Sequence, residues 1–196
     1  MAATAPMRRP VRRVAAVPAV LALACLLAAA PVAADQDDPR LDGLFDRLDG
    51  ISDKANAREV TQKIWAIWYE HDQKAVERAM RDAHNALRAG EPGVALGMFD
   101  KAVRLDPEYA EAWNGRATTH FMLGNYEQSL ADIERTLELE PRHFGALAGR
   151  GRCYLALDAP EKALAAFEAS LAINPHQPGT RRRAERLREK LDGEAI

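Results

Sequence analysis

The chain has 196 residues, 47% hydrophobic and 29% charged, with a formal net charge of −2. That balance excludes a broadly basic nucleic-acid binder and leaves a folded domain of ordinary size as the default. Of its two cysteines only Cys153 lies beyond the first 34 residues, so the body of the chain cannot close a disulfide on itself.

Residues 1–34 read as a secretory signal peptide. Arg8, Arg9, Arg12 and Arg13 form a basic start without an acid, and Val14 to Ala30 is apolar throughout. Val32-Ala33-Ala34 then puts small residues before the acidic Asp35-Gln36-Asp37-Asp38, with cleavage expected after Ala34. The rival reading is a retained anchor. Against it, the apolar run is short of the about 20 residues a bilayer requires, and Pro18 interrupts it. A lipid-anchor reading of Cys25 fails on Ala22, which stands where a branched residue is required. The two arginine pairs allow a twin-arginine route without further support.

Export to the bacterial periplasm is therefore expected, with no membrane insertion after cleavage. Removing this stretch, with its four arginines, takes the formal charge from −2 to −6. An acidic domain of about 160 residues argues against nucleic acid or an anionic membrane as its main partner. Cys153 is either buried and inert or pairs between molecules, and its position inside a helix favours burial.

After a polar leader at 35–40, residues 41–75 predict a helical pair, a cap or a degenerate repeat. Leu41, Leu44, Phe45 and Leu48 make a short apolar stripe. Ser52 or Asp53 can cap a second helix that runs to about Tyr69 and carries Val60, Ile64, Trp65, Ile67 and Trp68. Trp65 and Trp68 have two readings. Large aromatics bury about 150–250 Å² each, which favours packing on the first clear repeat. Alternatively the two form a second interface through which a homo-oligomer assembles.

Residues 76–177 repeat. Arg104-Leu105-Asp106-Pro107, Glu138-Leu139-Glu140-Pro141 and Ala172-Ile173-Asn174-Pro175 place their prolines 34 residues apart. On that alignment Ala83, Ala117 and Gly151 form a small column, as do Ala95, Ser129 and Ala163, and Ala102, Thr136 and Ser170. Phe99, Ile133 and Phe167 form a large one, and Gly90, Gly124 and Asp158 fall between the halves of each unit. Each unit predicts two helices, since small residues permit close approach and the large one fills the facing groove. Pro92 and Pro160 sit at the expected starts of second helices, and there is no strand signal beyond the leader.

The period, with Trp113, Gly124, Tyr126, Ile133 and Pro141 in order, resembles the tetratricopeptide repeat. The third unit matches through Gly151, Tyr154, Ala163, Phe167 and Pro175, the first through Ala83, Ala95, Phe99, Ala102 and Pro107. Ala79 stands where the second unit has Trp113, and Ala86 and His120 stand where the third has Tyr154. The resemblance covers 76–177 and implies an all-α solenoid of antiparallel helix pairs, with repeats at 76–109, 110–143 and 144–177. It also implies a non-enzymatic interaction module or adaptor that binds a peptide or partner protein in a concave groove lined by the first helices.

Carried over column by column, that groove comprises Leu87, Phe121 and Leu155; Arg88 and Met122; His84, Thr118 and Arg152; and Met80 and Asn114, with Arg81 beside them. Gly115 and Gly149 are expected to leave room for a ligand backbone. Its apolar floor and basic surroundings suit an apolar segment carrying acidic residues. The two-carboxylate clamp of some members, which grips a chaperone's carboxyl terminus, is not expected. Met80 and His84 occupy its Lys and Asn places in the first unit, with Gly115, Gly145 and Gly149 further on.

Residues 178–196 predict a capping helix and tail. Ala184, Leu187 and Leu191 share one face, and six basic residues from Arg181 to Lys190 occupy the rest. Glu185, Glu189 and Asp192 dilute that charge without interleaved aromatics, so a solvated cap is favoured over an anion-binding patch. No catalytic constellation is found. His71, His84, His120, His143 and His176 show no metal-ligand spacing, and His143 and His176 read as turn residues after the repeat prolines. No cofactor or metal is expected. A structural subunit of an envelope or secretion assembly, self-associating through Trp65 and Trp68, is the alternative function.

Overall fold

The computed structural model describes Gln36 and residues 38–194. The expected signal peptide and its cleavage point lie outside the described residues. Among those described there are nine helices and no strand, and no helix is long and apolar enough to cross a membrane.

The three repeats are six helices: α3 (Lys74–Arg88) with α4 (Pro92–Leu105), α5 (Ala110–Met122) with α6 (Tyr126–Leu139), and α7 (Phe144–Ala156) with α8 (Pro160–Ile173). Each packs on the next in chain order, and α9 (Pro178–Glu194) closes the stack against α8. Inside it, Ala184 and Leu187 of α9 join Ala163 and Phe167 of α8 in one apolar cluster.

Local chemistry explains the turns. The first helix of every repeat ends in a Schellman motif: Glu91, Asn125 and Ala159 donate their amides to the carbonyls of Ala86, His120 and Tyr154. The residue before each donor is left-handed, with φ of 77° at Gly90, 79° at Gly124 and 53° at Asp158. Glycine takes that conformation without penalty, and aspartate is among the few side chains that tolerate it. The second helices end at the repeat prolines, and the residue before each proline accepts an amide two residues on. Asp106 takes that of Glu108, Glu140 that of Arg142, and Asn174 that of His176. A polar residue in that column is thus a turn-forming group.

The large column fills notches in the first helices. A Cβ on Gly115 would lie 2.2 Å from the Phe99 ring, and one on Gly151 would lie 2.5 Å from Phe167. A Cβ on Gly149 would lie 3.4 Å from Ile133 Cδ1, an ordinary contact. Gly115, expected to admit a ligand backbone, is therefore occupied by the protein's own core, whereas Gly149 has room for a methyl beside Ile133.

The amino-terminal pair, α1 (Arg40–Gly50) and α2 (Lys54–Tyr69), is placed differently from a stacked repeat. Its second helix lies along the turns that join successive repeats. At its carboxyl end Tyr109 Oη donates to the Trp68 carbonyl at 2.9 Å, and His71 meets Asp106 at 3.0 Å. In its last turns Trp65 and Trp68 pack on His143 and Phe144, and at its middle Asn174 donates to Thr61 at 3.3 Å. Arg142 reaches back to α1, bonding Asp42 at 2.7 Å and covering the Phe45 ring. The pair thus spans all three repeat turns.

Trp68 is 2% exposed, so the expectation that it forms part of a second interface is corrected. Trp65 is half-buried, stacked on Tyr69 and edge-on to Phe144, with its ring over Gly145. Both pack where the second repeat meets the third, rather than on the first.

Candidate interaction face

Besides the sequential packing, α5 touches α7 directly, which places the first helices of the repeats on the inside of the curve. Along that face the expected groove residues divide into an open part and a closed part.

The open part is a cleft of about 520 Å³ lined by Tyr69, Glu77, Met80, Arg81, His84 and Arg88. Met80 is mostly buried and forms the floor, while Arg81 and Arg88 are exposed. His84 Nδ1 donates to the Met80 carbonyl at 2.8 Å, since a carbonyl can only accept, and this holds the ring edge-on to Tyr69 and Phe99. Arg88 bonds Asn85, and Arg81 has no ion-pair partner among the described residues. Tyr69, at the end of α2, is a wall that sequence reasoning missed. The terminal aromatic of that stripe was its only signal.

The closed part is formed by Asn114, Thr118, Phe121, Gly149 and Arg152, where only about 10 Å³ remains. The Arg152 guanidinium lies 5.1 Å from the Phe121 ring centroid, a cation–π contact. Burial pulls the Arg152 pKa below the usual guanidinium value, and Arg183 adds repulsion. Asn114 is turned to the Glu111 carboxylate at 3.0 Å. At the far ends of these helices Met122 and Leu155 are 53% and 39% exposed, and Leu87 is half-buried against the core. The face therefore presents a basic cleft at its amino-terminal end and an apolar rim along one side.

A buried histidine–carboxylate hydrogen bond stiffens the lower edge of this face. His143 is fully buried and Glu111 is 2% exposed, with Nε2 and Oε2 2.9 Å apart. His143 Nδ1 accepts the Ala146 amide at 3.0 Å, which caps α7 and leaves Nε2 to donate to Glu111. The imidazole also stacks on Trp68, with centroids 4.2 Å apart. This residue, expected only as a turn former, joins α2, α5 and α7.

Cys153 is buried, as expected from its position, and its thiol donates to Ser129 Oγ at 3.2 Å. Burial pushes the thiol pKa above its ordinary 9.0. The native state then holds its proton more tightly than the unfolded chain. This contribution is fully present below about pH 9 and is lost as pH rises through the higher native value. We expect urea midpoints to fall above pH 9, and Cys153 to react with a thiol reagent only on unfolding. A Cys153→Ser variant should lessen the fall, the remainder coming from Tyr69, whose phenol pKa burial also pushes up.

The fold and the face together define a helical-repeat protein of the interaction class. The family model described as Tetratricopeptide repeat matches residues 80–135 and 116–178. The chain belongs to the tetratricopeptide repeat family, which supplies protein-interaction modules rather than enzymes. A TPR repeat-containing protein of Rhizobium etli is 37% identical over 95 residues, 48% of this chain and 47% of that protein. The match thus spans about half the length of that curated relative. The Arabidopsis OM64 TPR domain superposes with a TM-score of 0.58 at 20% identity, over 60% of this chain and 97% of that one. The first TPR of Spaghetti (RPAP3), bound to an HSP90 peptide, gives 0.59 at 19% identity, over 62% and 96% of the two chains. PcrH, in complex with the chaperone binding region of PopD, gives 0.54 at 22%, over 63% and 92%.

Proposed function

We propose that the inner face binds a segment of a partner protein that combines acidic with apolar residues. The observation that carries this reading is the open cleft of Tyr69, Glu77, Met80, Arg81, His84 and Arg88, where two arginines outnumber the single carboxylate of Glu77 and form no ion pair among the described residues. An acidic side chain of the ligand meets Arg81 and Arg88, and its apolar residues run along Met122 and Leu155. Arg152, lying over Phe121 with no ion pair among the described residues, is a second attractive point for a carboxylate. Solved relatives bound to peptide or chaperone-binding segments support this use of the fold.

A displayed random-peptide library selected on the purified protein tests this. Enriched sequences should pair Asp or Glu with large apolar residues. The double reversal Arg81→Glu, Arg88→Glu should weaken their binding at least about tenfold, as expected for loss of charge-assisted contacts, with melting unchanged. Selection without acidic enrichment, or variants that bind equally well, would sink the reading.

Export to the bacterial periplasm, with cleavage after Ala34, belongs to the same proposal. It rests on the basic start, apolar run and small residues of 1–34. The intact mass of protein recovered from the periplasm should begin at Asp35; a full-length mass in the cytoplasm would overturn it. Burial of Trp68 removes the support for an assembly subunit that self-associates through that helix.

A further inference from the structure

A second cleft of about 390 Å³ lies between the start of α2 and the start of α9, lined by Lys54, Arg58, Pro175, His176, Pro178, Arg181 and Arg182. It shares no residue with the inner face. Four permanent cations meet there from two elements far apart in sequence, and no carboxylate is among the walls. Lys54, Arg58 and Arg182 form no ion pair among the described residues, and Arg181 is held by its bond to the Pro175 carbonyl at 2.6 Å. Asp53 and Glu185, acids near these residues in sequence, do not line the cleft; Asp53 instead caps the Asn56 amide.

Two further features point to an anion. His176 Nε2 is buried without a hydrogen-bond partner, a rare condition for a polar atom in a settled structure. The first turn of the 17-residue α9 also opens here, with the free amides and positive dipole end that every helix start carries. Like charges left together in a cleft repel, and a multiply charged oxyanion would relieve that repulsion while filling the forks of three arginines. The two prolines supply an apolar wall for an organic remainder, and the volume suits a small molecule.

We propose that this cleft is a binding site for a small phosphate-bearing anion, held between the amino-terminal pair and the carboxyl-terminal cap. The shared chemistry is a phosphate or diphosphate group, whether on a soluble compound or on a lipid headgroup. The site ties α2 to α9, so occupancy raises the melting temperature of the whole domain.

Sodium pyrophosphate is the soluble probe, titrated at constant ionic strength by calorimetry and followed by thermal melting. Vesicles of phosphatidylcholine with or without phosphatidylglycerol form the second arm. We expect saturable binding and a rising melting temperature. The double variant Arg58→Gln, Arg182→Gln should weaken binding at least about tenfold and abolish the rise in melting temperature, while Arg104→Gln, exposed on α4, leaves both unchanged. Both substituted arginines are exposed, so folding, checked by circular dichroism, should be retained. Vesicle binding that requires phosphatidylglycerol and is lost in the double variant, without a pyrophosphate response, supports the site with a lipid source. No saturable response in either arm, or responses undiminished in the double variant, overturns it.

Discussion

Replacing Phe99 with alanine should lower the stability of the domain by about 3–5 kcal/mol, the range for removing a fully buried phenyl ring. Phe99 is 0% exposed and inserts its ring into the notch left by Gly115, with His84 edge-on to it. The loss has two components: the transfer free energy of the ring and a cavity that α4 and α5 cannot close. In a domain of this size it should lower the melting temperature by roughly 6–20 °C. Gly115→Ala attacks the same contact from the other side, since its methyl would overlap the ring. The double variant Gly115→Ala, Phe99→Ala should recover part of the loss, because the new methyl then enters the space the ring vacated. Equal melting of Phe99→Ala and wild type would refute the notch as the joint between the first two repeats.

His143→Ala should cost about 3 kcal/mol, because it takes one of the partners of the buried Glu111 carboxylate and leaves Asn114 to hold it. The same change removes the cap on the Ala146 amide and the ring that stacks on Trp68. Glu111→Gln is the informative contrast. Its amide oxygen can still accept from Nε2, so a neutral acceptor replaces a charged one and nothing is stranded. Its cost should stay near about 1 kcal/mol. Urea denaturation of both variants separates the readings: equal losses would mean that charge, not the hydrogen bond, holds this edge. His143→Ala should also increase the mobility of α2, visible as faster amide exchange over residues 54–69.

The repeat was legible because its signals are local and recur. Gly90, Gly124 and Asp158 each end a helix through hydrogen bonds spanning six residues, and Asp106, Glu140 and Asn174 each bond two residues ahead. A column alignment captures such features whole. The inner face was only partly legible for the opposite reason. Gly115 looks like an opening until Phe99, sixteen residues earlier, is seen to fill it, and Arg152 looks available until it lies down on Phe121. Tyr69 and Lys54 contribute to clefts through the docking of α2, and no periodicity in 41–75 states which distant surface its apolar stripe will meet. The tryptophan stripe pointed to the first repeat as its cover, whereas the structure packs it between the second and third. The actual cover, His143 and Phe144, follows a repeat proline where turn residues were expected.

A stack of repeats touching only neighbours behaves as a spring: it can change pitch, and it can unzip from either end. Here Thr61 is tied to Asn174 and Asp42 to Arg142, across 113 and 100 residues of chain. Such ties fasten the coils together and turn the spring into a rigid frame. Fraying at one end then has to break contacts at the other, so the domain should unfold in one step rather than repeat by repeat. The long loops that must close before those contacts form also make it a slower folder than its helical content suggests. For a ligand, the frame means a face of set curvature, selecting partners that already fit it rather than wrapping around those that do not.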